Sequence, residues 1–489
     1  MLPFKSIIHI DRSSRTPVYL QIVNALIREV KQGRLLAGAK LPGSRQLAEL
    51  LQVHRKTVVT AYDELLAQGW IEIIPAKGTF IHQNIPKKRY KPISEKEQGI
   101  PKVALETGYK LFPQPALVFP EGSDPRLLHL DDGFPDIRLA PLQALAREYR
   151  NVTRAKNWRR YFHYGSPLGD EHLREQLASY LMTTRGIHIS MDNIIVTRGS
   201  IMGIYLLTQT ILKPADKVIV GNTNYGTANR MISHVGAQLL RVPVDQYGLD
   251  VEKIEELCQQ HPIRAIYVAS HHHHPTTVTL SAERRVKLLD LAKIHRFAIL
   301  EDDYDYDFHY ASSPILPLAS ADEEGMVAYI GSISKSIAPA FRIGFVVGPK
   351  NLVSELAKLR RIVDRQGDLV LEKAVAILFE DGEVRRHLRK AIHIYRERRD
   401  HLCQLLATSL RDGVQFSKPE GGLAIWTRFD PKINLPILAE RAEKAGLYFG
   451  NGLSYNPPNQ QLNATRLGFG SSNFEELERA VHILQSCID

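Results

Sequence analysis

From about Leu127 onward, short apolar runs alternate with helical patterns: NIIVT, KVIVG, AIYVA, FAILED, AYIGS and IGFVVG stand between stretches of three-to-four-residue periodicity. Apolar strands separated by helices bury both faces of a sheet, so this alternation predicts an open α/β sheet and excludes an all-helical or all-β body. After Glu383 the pattern is mainly helical, then alternates through LAIWTRF, LYFG and TRLGFG, which predicts a smaller α+β end-domain. No apolar run approaches the roughly 18 to 20 residues of a membrane span, and the first residues lack the form of a signal peptide, so a cytoplasmic location is expected. Cys258, Cys403 and Cys487 are widely spaced, follow no metal-ligand pattern and are read as ordinary thiols.

At 489 residues the chain is too long for one core, and its charge divides as its pattern does. Residues 1–92 hold 15 Lys and Arg against 6 Asp and Glu, so nearly all of the net charge of +10 is N-terminal. A basic excess on a small unit is the footprint of phosphate contact, although it also describes an ordinary solvated face. Within that region, Val18 to Val30 carries one apolar face and Gly33 offers a left-handed stop. Ser44 is placed to cap a short helix ending near Leu51. Arg55 to Gln68 forms a third helix, with Val58, Ala61, Tyr62, Leu65 and Leu66 toward the core. WIEIIPAKGTFIH then alternates as two strands around Pro75–Gly78, a wing. The boundaries that follow are a head at 12–82, a Pro-, Lys-, Glu- and Gly-rich linker at 83–124, and a large domain at 125–489.

The large domain holds the residue types that pyridoxal chemistry needs: an amine, an acid for the ring nitrogen, a hydroxyl-and-cation cradle for a phosphate, and a flat ring partner. GSISKSIAPAFRIG offers Lys335 as the amine, Ser332 and Ser334 for the phosphate, and Arg342 as a bidentate fork. FAILEDDYDYDF puts Asp302 and Tyr304 directly after an apolar strand, where side chains of an α/β sheet enter the ligand crevice; a solvated acidic loop is the plain alternative. VTRGSIMG resembles a strand-loop-helix that wraps a phosphate at a helix N-terminus, which would put Gly199 in the turn and Ser200 at the anion. His271 to His274 lie on one extended stretch whose side chains alternate in direction, so one ion cannot collect all four, and no metal is expected.

LPGSRQLAELLQVHRKTVVTAYDELLAQGWIEIIPAKGTF resembles the GntR-type winged helix-turn-helix over about the first eighty residues. That resemblance implies double-stranded operator DNA as a partner, with Arg45, Arg55, Lys56, Thr57, Lys77 and Gly78 against it. A helical unit for protein contacts is the alternative. GSISKSIAPAFRIG resembles the signature of fold-type I pyridoxal enzymes, and the whole chain resembles the MocR, or GabR-like, regulators, in which such a head precedes an aminotransferase-like domain. GFPD from Gly133, YGSPLG and HPTTVTLSAERR are further landmarks. The resemblance implies pyridoxal 5'-phosphate bonded to Lys335, Asp302 on the ring nitrogen, Tyr304 on the ring hydroxyl, Tyr225 stacked on the ring, and Ser200 and Gly199 at the phosphate. Tyr164 would reach the phosphate of a partner subunit in a head-to-tail homodimer, and Arg466 would grip a ligand carboxylate.

Two departures bear on function. His274-Pro275-Thr276-Thr277 replaces the Asn-Pro-x-Gly of transaminases, leaving His274 at the ring hydroxyl, and Ile201 stands where the family usually has Gln. Together they argue for a sensor of a small amine, an amino acid or the cofactor itself, without efficient turnover. A working aminotransferase with an accessory DNA-binding unit is the main rival, and a large domain that has lost its cofactor is a third reading.

Overall fold

The computed structural model describes residues 4–14, 16–85, 106–112, 124, 126–310 and 315–488. Two compact units divide the chain, Met1–Phe112 and Pro113–Asp489. Most of the linker expected at 83–124 lies outside the described residues.

The first unit is built on α1 (Val18–Lys31), α2 (Ser44–Leu51) and α3 (Arg55–Ala67), followed by β1 (Ile71–Ile74) and β2 (Gly78–Ile81). Its core gathers the apolar stripes of the three helices: Ile22, Val23 and Leu26, Leu47 and Ala48, then Val58, Ala61, Tyr62 and Leu65, closed by Ile71 and Ile81 of the two strands. Leu66, expected inside, is 41% exposed, because one step beyond Leu65 turns a helical side chain away from the stripe. Gly33 has φ 72° directly after α1, the left-handed stop foreseen. Ser44 differs from expectation: it is the first helical residue of α2, Gly43 takes the cap position, and no side-chain cap bond forms. β1 and β2 pair antiparallel from Ile71↔Ile81 to Ile74↔Gly78, with Pro75–Lys77 as the wing tip.

The second unit centres on a seven-stranded sheet. Its strands are β3 (Ile194–Thr197), β4 (Lys217–Gly221), β5 (Gln238–Val242), β6 (Ile263–Val268), β7 (Ala298–Asp303), β8 (Val327–Ser332) and β9 (Gly344–Val347). They lie in the order β3-β9-β8-β7-β6-β4-β5. The pairs β4–β5, β4–β6, β6–β7 and β7–β8 are parallel, while β9 runs antiparallel to β8 and β3. Apart from the edge strand β5, most of whose residues are only partly buried, the strands are buried along nearly their whole length, as a sheet covered by helices on both sides requires. This topology sets up the site. The carboxyl ends of parallel strands share one edge, and an antiparallel strand brings its beginning to that edge. Asp302, Ser332 and the residue pair Arg342–Ile343 ahead of β9 are thereby collected, though they are far apart in the chain.

The long helix Glu383–Leu405 leads into the small end-domain, a three-stranded antiparallel sheet of β10 (Val414–Phe416), β11 (Ala424–Phe429) and β12 (Ala464–Gly468) in that order. Its inner residues Leu423, Ile425, Leu467 and Phe469 join the core that also holds Leu130. That packing draws the segment after Leu130 up against β12.

Candidate functional site

A cavity of about 270 Å³ opens at the carboxyl edge of the large sheet, lined by Asp132, Phe134, Ser200, Ile201, Tyr225, His274, Asp302, Tyr304, Ser332, Ser334, Lys335, Pro339 and Arg342. Nine of the residues expected from sequence at the cofactor therefore share one wall. Lys335 follows β8 on a turn, and its Nζ lies 4.5 Å from the centre of the Tyr304 ring. Burial pushes its ammonium below the usual lysine range, with Asp305 opposing that shift. A less basic amine is more often unprotonated, the form that attacks a carbonyl.

Asp302 is 2% exposed, and Tyr267 donates to its Oδ2 at 2.5 Å. Burial lifts its carboxyl to about 7, against the lowering effect of the Tyr267 hydroxyl. Its Oδ1 is buried and has no hydrogen-bond partner. An orphaned carboxylate oxygen in an apolar wall is costly unless a donor completes it, and a protonated ring nitrogen is such a donor. The opposite end of the cavity suits an anion. Gly199, at φ 76°, opens the helix α4 (Gly199–Ile211), and a Cβ built on it would stand 2.8 Å from Arg342 Nη2. Glycine is thus what lets the guanidinium lie against the helix N-terminus. Arg342 is exposed and donates to the Arg198 carbonyl at 3.3 Å, while Ser334 N–H donates to Ser332 Oγ at 3.2 Å. Backbone N–H groups, two hydroxyls and a guanidinium fit a phosphate, so the residues present fit pyridoxal phosphate at both ends.

Three expected side chains have other neighbours. The Tyr304 hydroxyl donates to the His272 carbonyl at 2.8 Å. Tyr225 meets His274 edge to face, ring centres 5.2 Å apart. Tyr164 is outside the cavity wall, 78% exposed, with the Arg365 guanidinium 3.9 Å from its ring centre.

Sequence reasoning passed over Asp132. Its carboxylate is ion-paired through Oδ1 with Arg466 Nε, and its Oδ2 lies 2.8 Å from His274 Nε2. Loss of hydration raises the Asp132 carboxyl, yet His274 and Arg466 together hold it below the usual carboxylate range. Arg466, expected to face a ligand, is instead buried behind Asp132 and is not in the cavity wall; its side chain is 1% exposed. The signal was available: the GFPD landmark begins one residue after two adjacent acids, in a segment otherwise apolar enough to pack on β12. Tyr267 was also missed, because a tyrosine within an apolar strand reads as core.

The histidine run is not the extended stretch expected, since His272 has φ 42° and His274 stands in a turn, yet each ring finds a different partner. His271 faces Asp303 at 3.5 Å, His272 bonds Asp305 at 2.9 Å, His273 bonds the Thr223 carbonyl at 3.0 Å, and His274 turns to Asp132.

In the first unit, Arg45, Arg55 and Lys56 are exposed and Thr57 is partly so, at the starts of α2 and α3. Arg55 Nε reaches Ser44 Oγ at 3.4 Å, and the His54 side chain accepts from Lys56 N–H, capping α3. Lys77 and Gly78 are exposed at the wing, where Gly78 has φ 119°.

A basic winged helix-turn-helix and a pocketed unit of aminotransferase fold define a transcriptional regulator with an aminotransferase-like effector unit. The chain belongs to the aminotransferase class I and II family, which matches residues 130–479, and the gntR family of bacterial regulatory proteins matches residues 18–81. The combination is the MocR/GabR-type architecture. The probable rhizopine catabolism regulatory protein MocR of Rhizobium meliloti is 27% identical, over 98% of this chain and 95% of its own length. The uncharacterized HTH-type transcriptional regulator YdfD of Bacillus subtilis is 26% identical over 97% of this chain and 96% of its own length. Among solved structures, a kynurenine aminotransferase of Pyrococcus horikoshii in complex with PMP is 27% identical with a TM-score of 0.69, covering 74% of this chain and 91% of its own. Relatives that match end to end are regulators, and that enzyme matches three quarters of the chain, so the regulator reading stands over an aminotransferase with an accessory head.

Proposed function

We propose that this protein is a pyridoxal-phosphate-dependent regulator that reads a small amine through Lys335 and changes its hold on operator DNA. Its parts are a DNA-binding head at 12–82, a linker at 83–124 and an effector and dimerisation domain at 125–489, working in the cytoplasm as a head-to-tail homodimer. The unpartnered Asp302 Oδ1, buried in the same wall as Lys335, carries the reading. An α/β pocket used only for dimerisation gains nothing from an orphaned buried acid.

When bound, pyridoxal phosphate supplies an aldehyde that condenses with amines and a ring that withdraws electrons. Lys335 would bond the aldehyde, Asp302 would hold a proton on the ring nitrogen, and Ser200, Ser332, Ser334 and Arg342 would take the phosphate, with Gly199 shaping the helix end. Tyr225 would cover the ring, and Tyr304 and His274 would sit near its hydroxyl. Tyr164, exposed here, would complete the phosphate site of a partner subunit. His274 differs from a transaminase Asn in being committed to Asp132, which leaves it less free to tune the ring hydroxyl. Ile201 adds an apolar side chain where an amide would add a donor. Both suit reporting an amine over converting one.

On the DNA side, Arg45, Arg55 and Thr57 would meet the major groove, Lys56 a phosphate, and Lys77 and Gly78 the minor groove. Signalling requires the amine to bind two states of the dimer with different affinity. The test is Lys335→Ala: operator affinity measured with and without a panel of amines should lose its ligand response while basal DNA binding persists. A ligand response retained by Lys335→Ala would falsify the reading.

A further inference from the structure

We infer that Asp132 determines the ligand class of the pocket: as a carboxylate of the chain's own it occupies Arg466, and so restricts the pocket to amines that carry no carboxylate on the amine-bearing carbon. The inference rests on the proposed amine-sensing role of the same site.

The chain holds Arg466 at two of its nitrogens: Nε is ion-paired with Asp132, and Nη1 donates to the Pro275 carbonyl at 3.3 Å. The 1% exposure of the Arg466 side chain contrasts with 37% for Asp132, so the group offered to a ligand is the acid and not the guanidinium. A ligand carboxylate entering here meets the like charge of Asp132, and it finds the Nε side of the guanidinium already paired.

Nor is Asp132 on a loop free to swing aside. Upstream, Leu130 N–H donates to the Tyr448 carbonyl at 3.0 Å and the Leu130 carbonyl accepts from Gly468 N–H at 3.2 Å, tying the segment to the strand that carries Arg466. Downstream, Asp136 is buried and bonds Arg398 at 2.9 Å and Arg138 at 2.8 Å, while its N–H donates to the Tyr395 hydroxyl at 3.0 Å. His274 holds the second Asp132 oxygen from the cavity side. The acid is fixed at both ends of its segment and at both oxygens.

Full-length protein is loaded with pyridoxal phosphate and titrated with propylamine, 1,4-diaminobutane, L-alanine and L-glutamate, following the cofactor absorbance for binding. Wild type should bind the two amines about a hundredfold more tightly than the two amino acids. Asp132→Gly should remove that preference by tightening the amino acids about a hundredfold, and Asp132→Gly/Arg466→Leu should lose the gain, since the gain needs the freed guanidinium. Asp132→Asn, which keeps the shape of the side chain and drops its charge, should fall between. Amino acids bound by wild type as tightly as amines, a response to neither class, or a ratio unchanged in Asp132→Gly and Asp132→Asn overturns the inference. Protein that takes up no cofactor overturns the amine-sensing reading itself, and the absorbance before titration distinguishes that failure from the others.

Discussion

A carboxyl group raised by burial to about 7 makes the cofactor-free protein sensitive to pH. Asp302 is raised from 3.8 to about 7 by burial, so the folded chain holds a proton there that the unfolded chain releases near pH 4. The stability this contributes is fully present below about pH 4 and is lost as pH rises through 7. Asp302→Asn carries no such proton. In cofactor-free protein its melting temperature should fall less than that of wild type between pH 5 and 8, measured by thermal denaturation at constant ionic strength. The difference will not be total, since burial also raises Glu372 to about 7 and it titrates in the same window. Tyr267→Phe removes a hydrogen bond that lowers the Asp302 carboxyl, so it should move the midpoint of the pH dependence upward while leaving cofactor contacts in place. At this scale the sequence showed which residues carry chemistry and not how they are already paired. Lys335, Asp302 and Arg342 were legible from their spacing to strands, whereas the Asp132–Arg466 pair joins positions more than three hundred residues apart that no local pattern relates.

Helix ends do much of the positioning, and they were read from sequence with uneven success. Gly199 and Gly33 were legible because a left-handed position next to a helical pattern asks for glycine; Ser44 was misplaced because a cap and a first-turn residue differ by one position, which tertiary contacts decide. Gly199→Ala tests the first of these. At φ 76° an added Cβ is strained by about 1 kcal/mol, and it would displace Arg342 from the helix end. The expected outcome is a loss of pyridoxal phosphate affinity of about tenfold or more with little change in operator binding, read by equilibrium dialysis and by band shift. The recognition helix α3 gives a different signature. Lys56→Ala should weaken binding to any duplex by a similar factor and reduce the slope of log affinity against log salt by about 1, whereas Arg55→Ala should also lose discrimination between operator and random DNA.

At the scale of the whole molecule, the two units have separate cores. The cluster from Phe4 to Ile81 shares no residue with the clusters of the large unit, which run from Leu130 to Leu484 among the described residues. Cooperativity within a unit comes from such shared burial, so the chain should unfold in two thermal transitions. A ligand stabilises only the unit that binds it, by an amount set by its concentration relative to its dissociation constant. Pyridoxal phosphate at about 100 times that constant should stabilise the large unit by about 2.7 kcal/mol, and operator DNA should act on the transition of the head. Scanning calorimetry with each ligand separately gives both shifts. With both ligands present, any departure of the shifts from additivity measures the free energy by which pocket and head communicate, and an amine that acts as effector must change that departure. A regulator whose two transitions move independently under every amine tried would have a pocket without a signal, and the proposed coupling of pocket to head would fail.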